Sequence, residues 1–349
     1  MTKKLLKPSR TKVAVLCGGQ SSEREISLLS GKNVAENLDS RRYAVTIVEI
    51  TKSGQWLDRG RGVDDKQSQP LNIIDSKALI LGSDLRKFDV IFIALHGSNG
   101  EDGRIQALLD TIEVPYTGSG VLASALAMDK VMTSGLVANL GIGVPREIVI
   151  NNRKLIKASH LGLKAISELG YPCVVKPNKS GSSIAISIIN NAKELSGAVR
   201  KAFKEDESVV IQEYLSGREL TCSVMGNTGQ YNLEALPVME IITPNKFFDY
   251  NAKYHSSITQ EIVPAALPRG QTKRIQETAK AIHNALGCRG LTRSDFILSK
   301  NNRIYFLEIN TVPGLTRMSL SPKSALAAGM SLTMFFEKLI AIALMESST

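Results

Sequence analysis

Two short segments near residue 300 carry acidic residues at a spacing that predicts a cation site. Centring a two-residue turn on 301–302 pairs the segments as a hairpin and sets its register. Asp295 then lies opposite Glu308, and Arg293 lies opposite Asn310. Because residues two apart on a strand point to the same side, these four polar side chains share one face. The other face is predicted to be apolar and to contain Phe296, Leu298, Leu307 and Ile309.

Two acids that face each other across a strand pair repel, so their placement needs a physical reason. A hard divalent cation supplies one. Two carboxylates and an amide oxygen leave coordination positions open for water and nucleotide phosphates, as Mg²⁺ prefers. The alternative is a solvated hairpin face on which the acids pair with Arg293 or with nearby lysines. A slip of the turn by one residue would also separate Asp295 from Glu308.

A loop of glycine and serine residues over 178–183 follows Lys176 and joins two segments that are typical of strands. Glycine lets the backbone approach a ligand closely, so the N–H groups of such a loop can bind a phosphate. Lys176 would add a compact positive charge. Neither GxxxxGK[ST] nor GxGxxG occurs, so neither a P-loop NTPase nor a Rossmann dehydrogenase is indicated. An ordinary surface hairpin is the alternative interpretation of this loop.

The first third of the chain alternates strand and helix patterns, which predicts an open parallel sheet. A helix is expected up to about residue 37, opened by a capping box of Ser22 and Glu25. Ligands gather at the carboxyl ends of parallel strands, and His96 directly follows the last of them. The three strands are predicted over 13–16, 45–50 and 90–95.

The remainder of the chain mixes strands and helices without an internal repeat, and a polar stretch over 245–257 resembles a lid loop. Helices are predicted over 125–139, 159–169, 272–286 and 331–345. Strands are predicted over 173–177, 184–188, 209–213, 220–225 and 233–241, together with the hairpin over 293–310.

Composition limits the class of protein. Of the 349 residues 43% are hydrophobic, so two or three packed domains are expected. The net charge of +10 is spread out and 5% of the residues are aromatic, which argues against nucleic-acid binding. Four dispersed cysteines are expected to be reduced and buried. No apolar run is long enough for a membrane span or a signal peptide, so we expect a cytoplasmic protein.

Eight short motifs, taken together and in order, resemble the D-alanine–D-alanine ligase family over nearly the whole chain. The resemblance implies an N-terminal open parallel-sheet domain over 1–129, followed by a two-subdomain ATP-grasp fold over 130–219 and 220–349. The motifs are Glu23-Arg24-Glu25-Ile26-Ser27; Ala94-Leu95-His96-Gly97 with Gly100-Glu101-Asp102-Gly103; Pro115-Tyr116-Thr117-Gly118-Ser119-Gly120; Met128-Asp129-Lys130; Val175-Lys176-Pro177 with Gly181-Ser182-Ser183; Asp249-Tyr250-Asn251-Ala252-Lys253-Tyr254; Arg293-Ser294-Asp295; and Glu308-Ile309-Asn310-Thr311-Val312-Pro313-Gly314.

The resemblance implies ATP and two Mg²⁺ ions as cofactors, with Mn²⁺ able to substitute. The metal ligands would be Asp295, Glu308 and Asn310, in agreement with the hairpin argument. Lys253 would contact the transferring phosphoryl group and Glu219 the ribose. The remaining nucleotide contacts would come from Lys130, Lys176, Gln212, Glu213 and Leu215.

The resemblance also implies a substrate site for two D-alanine molecules. Glu23, supported by Ser182 and Tyr254, would bind the amino group of the first molecule. Arg293 and the backbone N–H of Gly314 would form an oxyanion hole. The groups expected to position the substrates are His96, Ser319 and the Leu320 backbone.

The implied reaction activates the first D-alanine as an acyl phosphate, which the amine of the second then attacks. Positioning and charge neutralisation dominate such chemistry. Tyr254 favours an amide-forming enzyme, since relatives that use D-lactate often carry Phe there. The chain departs from the usual family pattern at Ser180, Ala185, Gln212 and Asn251.

Three alternatives stay open from the sequence. One is a related ligase that uses D-lactate or D-serine as the second substrate, and another is a nucleotide-binding regulator without catalysis. The third is a basic nucleic-acid-binding protein. The family resemblance suggests a homodimer.

Overall fold

The structure, a computed structural model, describes residues 10–61, 69–71, 74–75, 80–81, 84–151, 168–181, 185–226, 233–243 and 259–346. Its helices within these ranges are Arg24–Asn37, Arg104–Thr111, Val121–Met128, Lys130–Asn139, Ala192–Ala202, Arg269–Ala285, Leu320–Ala327 and Leu332–Glu346. The predicted helix over 159–169 and the predicted lid over 245–257 lie almost wholly outside the described residues.

The N-terminal sheet is parallel at its centre, as the sequence predicts. Strand Thr11–Gly18 pairs in parallel with Tyr43–Ile50 on one side and with Val90–Ile93 on the other. Trp56–Asp58 and Gln69–Pro70 extend one edge in the antiparallel sense. The carboxyl ends of the three parallel strands therefore meet at one edge of the sheet, where a ligand would be expected.

The first helix begins later than predicted, and the predicted capping box is wrong. Arg24–Asn37 has Glu23 as its N-cap residue, without a capping hydrogen bond from that side chain. Ser22 is exposed, while Ser21 donates its hydroxyl to the carbonyl of His96 at 2.8 Å. The serine next to the predicted cap thus fastens the turn before the helix to the end of the third parallel strand.

The single helix predicted over 125–139 is two helices that bend by 101° at Asp129. Asp129 is extended, and its carboxylate accepts the backbone N–H of Met132 at 3.1 Å. A carboxylate that caps the second helix ends the first, because the cap residue cannot keep helical dihedrals. The break places Lys130 at the first position of the second helix.

The other two large sheets are antiparallel. One has Ser187–Ile189, Cys173–Pro177, Val209–Glu213 and Glu147–Ile150 as neighbours in that order. The other runs through Gln260–Ile262, Met239–Ile242, Gly217–Met225, Leu291–Ser299 and Ile304–Asn310, with Glu234–Ala235 beside Gly217–Met225. Two short strands, Ile74–Asp75 and Ile80–Leu81, pair with each other.

The hairpin of Leu291–Ser299 and Ile304–Asn310, called the acidic hairpin from here on, has the predicted pairing at its functional end. Arg293 lies opposite Asn310, and Asp295 lies opposite Glu308. The register shifts next to Asp295, so Phe296 pairs with Phe306 instead of the predicted Leu307. The predicted apolar face is wrong at Leu307, which is half-buried, while Phe306 is fully buried.

Hydrophobic clusters join residues from parts of the chain that are predicted to belong to different domains. The domain boundaries themselves stay a prediction. Phe335 and Phe336 of the last helix are buried against the N-terminal sheet, and the rings of Phe336 and Phe92 lie 5.9 Å apart. Ala123 and Ala127 of Val121–Met128 belong to the cluster of the largest sheet. The four cysteines are free and buried, as predicted.

Within the described part of the chain, no single helix is long and apolar enough to span a membrane. Two pairs of consecutive helices reach the necessary length and apolar composition only when both helices are counted together, and each pair is sharply bent. These pairs are Val121–Met128 with Lys130–Asn139 and Leu320–Ala327 with Leu332–Met345.

Candidate functional site

A cavity of about 200 Å³ lies where the carboxyl ends of the parallel strands face the acidic hairpin. It gathers residues that are far apart in the sequence and come from every large part of the fold. Nine predicted site residues line it: Glu23, His96, Lys130, Arg293, Glu308, Asn310, Gly314, Ser319 and Leu320.

The two acids of the hairpin have different surroundings. Arg293 donates Nε and Nη2 to the two carboxylate oxygens of Asp295 at 2.9 and 2.8 Å, and Thr221 donates its hydroxyl at 2.7 Å. Asp295 lies behind the cavity lining, whereas Glu308 lines it and lies 3.7 Å from Lys130 Nζ. The pairing with an arginine and a lysine, which the sequence left open as an alternative, is therefore present on this face.

The donor chemistry at the hairpin fits a hard cation. Asp295, Glu308 and Asn310 offer only oxygen ligands, and two of them line the cavity. Such a set suits a magnesium ion that completes its coordination with water and phosphate oxygens. No cluster of three or more His, Cys, Asp or Glu side chains able to hold a metal occurs among the residues the structure describes. The hairpin by itself supplies two acids and an amide.

Lys130 connects the second helix to the loop of glycine and serine residues. Its Nζ donates to the carbonyls of Ser180 at 2.6 Å and Asn178 at 3.3 Å, and its side chain is 8% exposed. Asn178 in turn accepts the N–H of Val131 at 3.0 Å. The lysine therefore holds the described part of the loop beside Glu308.

Lys176 lies on the strand that leads into the same loop and is 6% exposed. Burial, together with the charge of Lys130, lowers its pKa to about 8, while the attraction of Glu308 and Glu147 opposes the shift. Two lysines kept close together in a buried region are costly unless an anion joins them. The pair is thus suited to a ligand that carries several negative charges.

The predicted adenine and ribose contacts lie outside the lining of the cavity. Gln212 Nε2 donates to Glu147 at 3.0 Å, and Glu213 accepts from the backbone N–H and the guanidinium of Arg146 at 2.8 and 2.9 Å. Leu215 follows the strand Val209–Glu213, which contains Gln212 and Glu213, and Glu219 lies on the next strand along the chain, Gly217–Met225. Ser182, Lys253 and Tyr254 lie outside the described residues.

Glu23 reaches the cavity because two glycines make room for its carboxylate. A Cβ added to Gly97 would lie 2.3 Å from Glu23 Oε2, and a Cβ added to Gly181 would lie 2.7 Å from the same atom. Glu23 is 9% exposed. The glycines in these two motifs are therefore required sterically, because a side chain there would collide with Glu23. The spacing of residues in the sequence does not reveal this requirement.

His96 is fully enclosed at the end of the third parallel strand. Its Nδ1 lies 2.9 Å from the carbonyl of Val312 and 3.7 Å from Glu101 Oε1. Burial opposes protonation, but the hydrogen bond and charge of Glu101, together with the charge of Glu23 and the hydrogen bond to Val312, raise the pKa of His96. Burial also raises the pKa of Glu101 to about 7, although His96 opposes the shift.

The segment after the hairpin supplies the last part of the wall. Ser319 Oγ accepts the N–H of Thr316 at 3.1 Å and does not cap the helix Leu320–Ala327. A Cβ on Gly314 would lie 2.8 Å from Ser319 Oγ, so the glycine permits this close turn. Gly314, Ser319 and the start of the helix therefore form one compact wall of the cavity.

Two acids on the cavity wall were not among the predicted site residues. Glu101 could have been found, because it follows a buried parallel strand within a quoted motif. Glu261 carries no such pattern; it reaches the wall from an edge strand and accepts from Lys323 Nζ at 2.6 Å.

Comparisons with known proteins agree over nearly the whole chain. The family model described as D-ala D-ala ligase N-terminus matches residues 12–119, and the one described as D-ala D-ala ligase C-terminus matches residues 136–341. The chain is 39% identical over 350 residues to a D-alanine–D-alanine ligase of Thermoanaerobacter sp. (strain X514), with 96% of each chain covered.

Two solved structures are similar in fold. The VanG D-Ala:D-Ser ligase from Enterococcus faecalis is 31% identical, with a TM-score of 0.82 over 96% of this chain and 100% of that chain. The D-alanine–D-alanine ligase from Coxiella burnetii is 27% identical, with a TM-score of 0.83 over 97% of this chain and 95% of that chain.

Proposed function

This chain belongs to the D-alanine–D-alanine ligase family, and we propose that it joins two D-alanine molecules while ATP is cleaved to ADP and phosphate. The product would serve the synthesis of peptidoglycan precursors. The observation that carries the proposal is the convergence of Glu23, Glu308, Asn310 and Arg293 on one cavity. Such a ligation needs a group that binds the substrate amine, a cation site and a donor to the oxyanion. We assign these roles to Glu23, to Glu308 with Asn310, and to Arg293.

The chemistry explains why the cationic side chains of Lys130 and Arg293 line the cavity. A carboxylate is a poor electrophile, so it must first accept the terminal phosphoryl group of ATP. The protein contributes positioning and charge neutralisation to that transfer rather than a nucleophile. We assign the phosphate contacts to Lys130 and Lys176, which lie beside the loop, and to Lys253.

Asp295, Glu308 and Asn310 would hold Mg²⁺ in this scheme. The bound ion would supply charge neutralisation at the phosphate oxygens. Each acid has its own cationic neighbour, Arg293 for Asp295 and Lys130 for Glu308. These neighbours keep the two acids from repelling each other strongly while the site is being filled.

The second half of the reaction generates an oxyanion when the amine attacks the activated carbonyl. Arg293 and the N–H of Gly314 line the cavity together and are the donors we assign to that charge. Ser319 and the Leu320 backbone would receive the carboxylate of the attacking D-alanine at the start of Leu320–Ala327, where a helix N-terminus favours an anion. Tyr254 and Ser182 would support Glu23 at the first D-alanine.

The direct test measures ADP release from ATP with D-alanine, with L-alanine and with no amino acid, each with and without Mg²⁺. We expect release that depends on both D-alanine and Mg²⁺, with the dipeptide formed in equal amount. ADP release that is the same with and without D-alanine would contradict the proposal. No release under any condition would favour a nucleotide-binding regulator.

A second candidate function, D-alanine–D-serine ligation, is favoured by the similarity to the VanG enzyme at 31% identity. A panel of D-alanine, D-serine and D-lactate as second substrates distinguishes the two. We expect D-alanine to give the highest kcat/KM. A preference for D-serine would keep the fold and the first half-reaction but change the acceptor assignment.

Lys176 gives the proposed nucleotide site a pH dependence. Its pKa of about 8 in the unliganded protein means that the lysine loses its charge as the pH rises above this value. Phosphate binds the charged form, so we expect the KM for ATP to increase by up to about tenfold per pH unit above that pKa. Lys176→Arg keeps its charge and should flatten the profile. An unchanged profile in this variant would remove Lys176 from the nucleotide site.

We also propose that the protein works in the cytoplasm as a homodimer, on small molecules and not on nucleic acid. Its diffuse net charge of +10 and low aromatic content support the last point. Light scattering of the purified protein tests the dimer.

A further inference from the structure

Ser30 joins three parts of the protein through one hydroxyl group. It lies on the helix Arg24–Asn37 and is 0% exposed. Its Oγ lies 2.8 Å from His96 Nε2 and accepts the backbone N–H of Leu315 at 3.2 Å. His96 Nδ1 lies 2.9 Å from the carbonyl of Val312. The contacts close a ring from Leu315 through the serine and the histidine back to Val312.

The direction of each hydrogen bond follows from the chemistry of the partners. The carbonyl of Val312 can only accept, so His96 Nδ1 carries the proton. In the uncharged ring Nε2 then accepts, and Ser30 donates its hydroxyl to it. The serine oxygen still has a lone pair for the N–H of Leu315. It has two lone pairs in all, so both contacts persist if the ring is protonated.

The ring fastens both ends of a four-residue turn over 312–315, which contains Gly314. Asn33, one turn after Ser30 on the same helix, donates Nδ2 to the carbonyl of Leu315 at 2.7 Å. The helix thus holds the turn directly at the N–H and the carbonyl of Leu315. Through His96 it also holds the carbonyl of Val312. The turn cannot rotate without breaking buried hydrogen bonds, each of which is costly to leave unmade.

We propose that Ser30 is a positioning residue that aims the backbone N–H of Gly314 at the reacting carbonyl. The inference rests on the proposed function, in which Gly314 N–H receives the oxyanion. An oxyanion donor is effective only at hydrogen-bond distance and in the right direction, so its turn must be rigid. Ser30 does not line the cavity and acts only through the turn and His96.

Ser27 provides a matched control on the same helix. It is also 0% exposed, accepts the N–H of Gly18 at 2.8 Å and donates to the carbonyl of Ala94 at 2.6 Å. It fastens the helix to two parallel strands and has no contact with the turn over 312–315. Ser27→Ala and Ser30→Ala each remove one buried hydroxyl with two hydrogen bonds to its surroundings.

The experiment compares kcat, the KM for ATP and Tm of the two variants with those of the unaltered protein. Both should lose a similar amount of Tm. We expect kcat to fall by about 10- to 100-fold in Ser30→Ala and by less than about threefold in Ser27→Ala. The KM for ATP should stay within about twofold in both, because the nucleotide contacts are on other elements.

Equal losses of kcat in the two variants would overturn the inference, since they would reflect stability alone. A normal kcat in Ser30→Ala would also overturn it. If Ser30→Ala does not fold, Asn33→Ala replaces it; this variant frees the carbonyl of Leu315 and should lower kcat in the same way. Absence of D-alanine-dependent ADP release in the unaltered protein would instead contradict the proposed function.

Discussion

Replacement of Glu308 by glutamine is expected to reduce D-alanine-dependent ADP release by about 10³-fold or more, because a metal ion contributes several kcal/mol of charge stabilisation. Glutamine has the same shape but no charge, so the acidic hairpin should keep its register and the protein its fold. Loss of the acid also leaves Lys130 without the carboxylate that lies 3.7 Å away. Steady-state ADP release at increasing Mg²⁺ measures the effect.

Glu277→Gln is the matched control for this substitution. Glu277 is 58% exposed on the helix Arg269–Ala285 and pairs with Lys280 at 3.2 Å. An exposed pair of this kind contributes little to stability, so turnover should be unchanged. Circular dichroism and Tm establish that both variants are folded. Near-normal turnover of Glu308→Gln at saturating Mg²⁺ would exclude Glu308 from the metal site.

Arg293→Lys is expected to lower kcat by roughly 10²–10³-fold, the usual cost of removing one oxyanion donor. Lysine keeps the charge but cannot reproduce the two parallel hydrogen bonds that Arg293 makes to Asp295. The loss would therefore act twice, on the oxyanion and on the orientation of a predicted metal ligand. Pre-steady-state dipeptide formation measures the step directly.

Arg218→Lys isolates the structural part of that effect. Arg218 donates Nε and Nη2 to the two oxygens of Glu240, each at 2.6 Å, within the same antiparallel sheet, and neither residue lines the cavity. It should lose a comparable amount of Tm and keep its kcat. If the two variants lose the same share of activity, Arg293 has only a structural role.

The acidic hairpin illustrates how far sequence reasoning extends. A two-residue turn predicts the pairing of Asp295 with Glu308, but the turn is longer, since Ser299 N–H donates to the carbonyl of Arg303. A bulge at Leu307 adds the residue that restores the predicted register. Bulges depend on how a strand packs, so two local errors compensated each other without any pattern in the sequence to announce them.

Ala185 shows a departure whose physical meaning only the structure supplies. The family usually has glycine there, and the backbone of Ala185 has a φ of +57°. A residue with a Cβ adopts this conformation at a cost of about 1–2 kcal/mol. Ala185 therefore carries a local backbone strain, next to the loop of glycine and serine residues, that a glycine would avoid.

The sequence by itself determined the fold class, with its parallel sheet and ATP-grasp part, the family, and the types of residue that carry the chemistry. The parallel sheet follows from periodicity, and the residue types follow from charge and spacing, which are local in the chain. The ATP-grasp part and the family are what the resemblance carried by the ordered motifs implies. The similarity to solved structures at TM-scores of 0.82 and 0.83 confirms the fold class. Local patterns also located the strand ends at which ligands gather.

Only the tertiary structure decided which of these residues meet. The enclosure of Glu23 by Gly97 and Gly181, and the attachment of Lys130 to the loop, join segments that are distant in sequence. The same is true of the ring through Ser30 and His96. Such contacts depend on how helices and sheets pack in three dimensions, and the spacing of residues along one chain carries no record of that packing.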